Sequence, residues 1–143
     1  MRLALLSLLP LLYFTIEKVN TNTDNLFLID KVTSIYDGDT FKVTLKDIPA
    51  IFGEKLSIRV ANIDTPELKG KCEQEKELAR KAKQFTLERL RQSKSILLKN
   101  LERGKYFRVI AEVYVDGQNL GEELLKEGLA VKYDGGKRKN WCK

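Results

Sequence analysis

Short runs of alternating apolar and polar residues recur along this chain, and between them one long segment, "CEQEKELARKAKQFTLERLRQS" (Cys72 to Ser93), shifts to a period near that of a helix. In "TFKVTLKDI" (Thr40 to Ile48), Phe41, Val43 and Leu45 alternate with Lys42, Thr44 and Lys46, the pattern of a strand with one buried face. "LFLIDKVTSIY" (Leu26 to Tyr36) is equally rich in β-branched and aromatic residues. The two predict a hairpin around Asp37-Gly38, with the positive φ angles that a type I′ turn requires. A loop holding Pro49 and Gly53 leads to a third strand, "KLSIRVANI" (Lys55 to Ile63), with Leu56, Ile58 and Val60 on one face and Arg59 on the other. The 72–93 segment is amphipathic, with Leu78, Ala82, Phe85 and Leu90 on one stripe, acids in its first turn and bases later. "SILLKNL" (Ser95 to Leu101) and "YFRVIAEVYV" (Tyr106 to Val115) predict two more strands, the last ending in a second Asp-Gly turn at Asp116-Gly117. "NLGEELLKEGLA" (Asn119 to Ala130) predicts a second helix, with Leu120, Leu124 and Leu125 inward and Gly128 as its C-cap.

Three strands, a helix, two strands and a helix, with short strands throughout, predict an α+β, mainly β chain closed into a small barrel. The five-stranded oligonucleotide-binding (OB) barrel with two to three helices fits that order and commonly binds polyanions. At 143 residues one domain is expected, large enough to need no metal or disulfide staple. The formal net charge of +6 suits a polyanionic partner. The chain has no histidine, which excludes Ser/His and Cys/His hydrolases, His-ligated zinc and His-dependent nucleases. Carboxylate, arginine and lysine chemistry remains, and carboxylates select a hard ion such as Ca²⁺ or Mg²⁺.

"MRLALLSLLPLLYF" carries one arginine and then an apolar run from Leu3 to Phe14, the length of a signal-peptide core and short for a membrane span. Residues 1–24 are therefore expected to be a signal peptide or an N-terminal hydrophobic anchor, and residues 25–143 the folded domain. No small-x-small cleavage site follows, so an uncleaved anchor and a buried N-terminal helix both stand as alternatives. Export to a secreted, periplasmic or cell-surface location lets the two cysteines oxidise, and Cys72 is then expected to pair with Cys142; the alternative is two buried thiols.

Arg59 and Arg108 lie inside apolar strand runs, where the bland reading is an arginine that snorkels to the surface. Directly after the Arg59 strand comes "NIDTPE" (Asn62 to Glu67), in which Pro66 holds Thr65 extended between two carboxylates, Asp64 and Glu67. Such a pair can supply a metal ligand and a base, or simply cap a turn. In "SIYDGDTFKV", Asp37-Gly38 can make the turn while Asp39 turns its carboxylate towards the 64–67 segment.

"DGDT", "IRVANIDTPE" and "KYFRVIAEVYVDG", in that order and at these separations, resemble the staphylococcal nuclease family across Leu26 to about Tyr133. The resemblance implies that Asp39, Asp64 and the backbone carbonyl of Thr65 hold a Ca²⁺ ion and that Arg59 and Arg108 contact the scissile phosphate. It also implies Glu67 as general base, and Lys105 and Tyr106 as contacts to a terminal phosphate of bound nucleotide. The implied activity is a Ca²⁺-dependent phosphodiesterase that cuts both DNA and RNA and leaves 3′-phosphates, acting as a monomer with no stable protein partner.

The chain departs from the family pattern in three places. Phe107 stands where the family has glycine, so a positive φ there would be strained. The segment after Glu67, "LKGKCEQEKELA", is short and contains Cys72. The C-terminal part is abbreviated and leaves Tyr133 and Trp141 as its late aromatics for base stacking. Two other readings compete: a non-catalytic OB barrel that binds nucleic acid or protein, and a basic face that binds anionic membrane beside the N-terminal segment.

Overall fold

The computed structural model describes residues 26–142, so the leader or anchor expected over residues 1–24 lies outside the described residues. Strands β1 (Phe27–Ile35), β2 (Thr40–Leu45) and β3 (Leu56–Val60) form an antiparallel meander. On the other side of β1 lies β5 (Ile96–Arg103), followed by β6 (Val109–Val115), and a parallel pairing of β3 with β6 closes five strands into a barrel. A parallel pair cannot be joined by a hairpin; here the crossover is helix α2 (Glu73–Arg91) together with β5. The OB-like, mainly β architecture is thus the one expected. Smaller elements complete it: α1 (Ala50–Gly53), a two-residue sheet of β4 (Ile63–Asp64) with β8 (Val131–Lys132), β7 (Gln118–Asn119) on the edge of β6, and α3 (Leu120–Lys126).

The period-two alternation holds as expected. Phe41, Val43 and Leu45 of β2 point inward, as do Ile58 and Val60 of β3 and Ala111, Val113 and Val115 of β6. Leu98, Leu120 and Leu124 fill the remaining space. Each large aliphatic or aromatic side chain removed from water here contributes about 1.5–3 kcal/mol, an upper figure because the unfolded chain already hides some of that area. Asn119 caps α3 by accepting from the amide of Glu122 at 3.1 Å, and Gly128, at φ +69°, ends it.

Several expectations need correction. Asp116-Gly117 is the two-residue turn with both φ positive (50° and 84°), but Asp37-Gly38 is not. Ile35 pairs with Phe41, and the residues between form a wider loop in which the amides of Tyr36 and Asp37 both donate to the Thr40 carbonyl. Gly38 is needed there for space: a Cβ would lie 2.7 Å from Ala82 Cβ and 3.0 Å from Thr65 Cγ2. The buried stripe of α2 is accordingly Glu75, Ala79, Ala82, Thr86 and Leu90, while Leu78 and Phe85 only flank it. Small residues face the loop because the helix backbone approaches it closely, and Thr86 donates its hydroxyl to the Gly38 carbonyl at 2.6 Å. The third strand breaks at Asn62, whose φ of 62° turns Ile63 and Asp64 away into β4. The fifth begins at Val109, not Tyr106, because Lys105–Phe107 form a tight turn.

Candidate active site

Antiparallel pairing sets Thr40 opposite Arg59, and the Val60 amide donates to the Asp39 carbonyl at 2.8 Å, so the backbone of Asp39 is tied beside Arg59. The break at Asn62 then brings Asp64 and Thr65 back to the same place. Arg59 spans the two aspartates: one terminal nitrogen is ion-paired to Asp39, while the other lies 3.1 Å from Asp64 Oδ1 and 3.2 Å from the Ile63 carbonyl. The second oxygen of Asp39 accepts from the Thr65 amide at 3.0 Å, and the Thr40 hydroxyl donates to the first at 2.9 Å. Asp39 and Asp64 are each only 1% exposed. Charges that deep are stable only when paired, and one planar guanidinium here pairs two of them.

A third acid belongs to this cluster. Asp37 is buried and accepts from the Asp39 amide at 3.2 Å. Its pKa is pushed up to about 7, first by burial and then by the charge on Asp39. Burial pulls the Arg59 pKa down, but the two carboxylates it touches more than offset this and leave it above its ordinary value. The cluster thus holds more acids than the arginine neutralises, and the acceptors are all oxygen. Asp39, Asp64 and the Thr65 carbonyl therefore suit a hard dication such as Ca²⁺.

Glu67 follows on a turn shaped by another acid that sequence reasoning passed over. The buried carboxylate of Glu75 accepts from the Lys71 amide at 2.9 Å, and a Cβ on Gly70 would lie 2.5 Å from its Cδ, so the 67–72 loop wraps around it. Glu67 keeps its side chain 40% exposed, open to solvent at the rim of the buried aspartates.

Sequence reasoning also passed over Arg138. Its guanidinium lies on Asp64, with Nε 3.0 Å from both carboxylate oxygens and Nη2 2.6 Å from one, while Nη1 is paired to Glu67. Those hydrogen bonds hold its pKa above the ordinary arginine value. The residue lies in what reads as a featureless basic tail, yet a signal was present. Cys72 and Cys142 are joined as expected, with Cα atoms 6.0 Å apart, and the two cysteines lie a few residues beyond Glu67 and Arg138 respectively.

Arg108, Lys105 and Tyr106 are not part of this cluster. The register Ile58 to Val109 and Arg59 to Ile110 sets Arg108 level with Ser57, on the same barrel face as Arg59. Its side chain leans back, with Nε 3.4 Å from the Lys105 carbonyl and its guanidinium 5.9 Å from the Tyr106 ring centroid. Among the described residues it makes no ion pair. It lines a groove of about 860 Å³ that starts at Thr40 and is edged by Tyr36, Phe52, Tyr106 and Phe107. All four aromatics are exposed, Tyr106 and Phe107 at 85%. Trp141, by contrast, is buried and closed to base stacking. Tyr106 and Phe107 both adopt positive φ (57° and 58°), the strain expected of phenylalanine at that position.

The family model described as staphylococcal nuclease homologue matches residues 57–141. Endonuclease YncB of Bacillus subtilis (strain 168) is 38% identical over 96 residues, covering 66% of this chain and 43% of that protein. The SPbeta prophage-derived endonuclease YokF of the same strain is 40% identical over 96 residues, covering 66% and 30%. The probable endonuclease LCL3 of Pyricularia oryzae is 30% identical over 133 residues, covering 75% and 49%. The chain thus spans less than half the length of each of these relatives. Strand order, the paired aspartates on Arg59 and a match over most of the barrel agree, and this chain belongs to the staphylococcal nuclease homologue family.

Proposed function

We propose that this chain is a nuclease that hydrolyses phosphodiesters of DNA and RNA with Ca²⁺ as its metal. The observation that carries the reading is Arg59 spanning the buried Asp39 and Asp64, with Glu67 at the solvent edge of the same cluster. The relatives' names, all endonucleases, support it.

Hydroxide approaching a phosphodiester meets an anion, and the five-coordinate transition state spreads further negative charge over the equatorial oxygens. Held by Asp39, Asp64 and the Thr65 carbonyl, Ca²⁺ would act as a Lewis acid on the phosphoryl oxygen. Glu67 takes the proton from the attacking water as its oxygen bonds to phosphorus. Arg59, fixed by its carboxylates, presents guanidinium to the equatorial oxygens, and Arg108 reaches them by unfolding from the Tyr106 ring. The bond to the 5′-oxygen breaks, that oxygen is protonated by solvent, and the 3′-side fragment keeps the phosphate. Lys105 and Tyr106 meet a neighbouring phosphate at the groove, whose exposed aromatics offer stacking faces to unpaired bases. The Cys72–Cys142 bond supports an oxidising, exported location for a monomeric enzyme.

The test incubates the protein with supercoiled plasmid and with a structured RNA, in Ca²⁺ or chelator, beside Glu67→Ser. Cleavage of both in Ca²⁺, abolished by chelator and by the variant, is expected. Binding without cleavage in every condition would instead make this a non-catalytic OB module.

A further inference from the structure

The tail that carries Arg138 is built into the site. The disulfide joins Cys142 to Cys72 at the foot of α2, and Trp141 beside it is buried, with the Lys139 ammonium 4.2 Å above its ring. Between this tail and the loop after Glu67 lies a cleft of about 680 Å³, with Asp64 and Glu67 at one end. Lys69 and Lys71 stand on the loop side, and Lys137, Arg138 and Lys139 on the tail side. All five are exposed, and among the described residues none of the four lysines is ion-paired. The indole N–H of Trp141, which also lines the cleft, is buried with no acceptor among the described residues.

Like charges gathered on two facing walls repel one another unless an anion lies between them. Neither wall alone makes a cleft, and the tail wall is held in place by one covalent bond. We propose that the disulfide-held tail and the 69–71 loop form a clamp for the strand phosphates flanking the one cleaved, with Arg138 reaching the scissile end. The clamp rests on the phosphodiesterase reading. It makes the ligand a polynucleotide strand rather than a dinucleotide, which cannot span both the carboxylate centre and the cleft, and it makes that preference depend on the Cys72–Cys142 bond.

Binding and cleavage are read separately. A fluorescent single-stranded 12-mer and a labelled dinucleotide are titrated by anisotropy against the full chain carrying Glu67→Gln, in chelator, over a range of salt. The oxidised protein is expected to hold the 12-mer at least about tenfold more tightly than the reduced protein does, with little change for the dinucleotide. Every phosphate left without its lysine lowers the slope of log K against log salt by about 0.7 for a single strand, so Lys137→Gln with Lys139→Gln should lower it by about 1.4. Those exposed lysines leave the disulfide and the core untouched, so the pair tests the clamp even if reduction loosens the fold. Unchanged 12-mer affinity and slope in the lysine pair would overturn the clamp. Plasmid cleavage in Ca²⁺ by a protein whose 12-mer binding ignores the tail would leave the nuclease reading standing and remove only the clamp. Tail-dependent 12-mer binding by a protein that cleaves nothing would support the clamp and remove the nuclease.

Discussion

Replacing Gly38 by alanine tests how the metal-side aspartate is positioned. Gly38 has an ordinary φ, so alanine meets no backbone penalty and, by stiffening the unfolded chain, would by itself stabilise the protein by about 0.4–1 kcal/mol. The added methyl, however, would lie 2.7 Å from Ala82 Cβ, 3.0 Å from Thr65 Cγ2 and 3.3 Å from the Ala82 carbonyl carbon. Real Cβ atoms do not approach so closely, and one neighbour is backbone, so α2 must lift from the 36–40 loop or the loop must shift. Overpacking of this kind costs about 1–3 kcal/mol, and the 2.6 Å bond from Thr86 to the Gly38 carbonyl stretches with it. The net expectation is a loss of about 1–2 kcal/mol by urea unfolding in chelator. Ala82→Gly costs about 1 kcal/mol by itself in a helix interior, but removes the nearest clashing atom. In the double variant the two losses should therefore sum to less than their separate values, with a coupling of about 1 kcal/mol. Because Asp39 adjoins Gly38, Ca²⁺ affinity by calorimetry should fall with Gly38→Ala and recover partly in the double variant. An unchanged urea midpoint for Gly38→Ala, or strict additivity with Ala82→Gly, would refute the close-approach account.

Arg59→Lys should lower plasmid cleavage about a hundredfold or more, because an ammonium cannot pair both Asp39 and Asp64 through separate nitrogens; near-normal turnover would remove Arg59 from the mechanism. Asp37 binds its proton more tightly in the folded state, with a pKa of about 7 against an ordinary 3.8, so its stabilising contribution is complete below 3.8 and is lost as pH rises through 7. Asp37→Asn keeps the acceptor for the Asp39 amide without the charge; in chelator it should unfold at higher urea than the parent at pH 8, and the difference should shrink towards pH 4. Phe107→Gly should raise stability by about 1 kcal/mol in thermal unfolding, since glycine adopts φ near 58° without strain and the 85% exposed ring gives up little packing.

Local pattern made the strands legible. Alternation in β2 and β6 depends only on which neighbours are apolar, and the same residues are buried in the barrel. Asp116-Gly117 was equally readable, because a two-residue hairpin is a local structure that demands positive φ at both positions. Asp37-Gly38 has the same two residues but obeys a helix from far along the chain, and its glycine answers to Ala82 and Thr65 rather than to its own dihedral angles. The buried face of α2 was misjudged for the same reason: hydrophobicity singled out Leu78 and Phe85, whereas close packing on the loop required Ala79, Ala82 and Thr86.

Residue order alone therefore determined the succession of elements, the lack of imidazole chemistry, the acids and arginines available for a phosphodiester, and the pairing of two cysteines. Tertiary structure decided which of those charges meet. Arg59 gathers Asp39 and Asp64 through a strand register and a left-handed break at Asn62, and Arg138 reaches Asp64 across 74 positions of chain through a single disulfide. Such contacts arise from chain closure and from the space left between packed surfaces, and neither is written in any short stretch of residues.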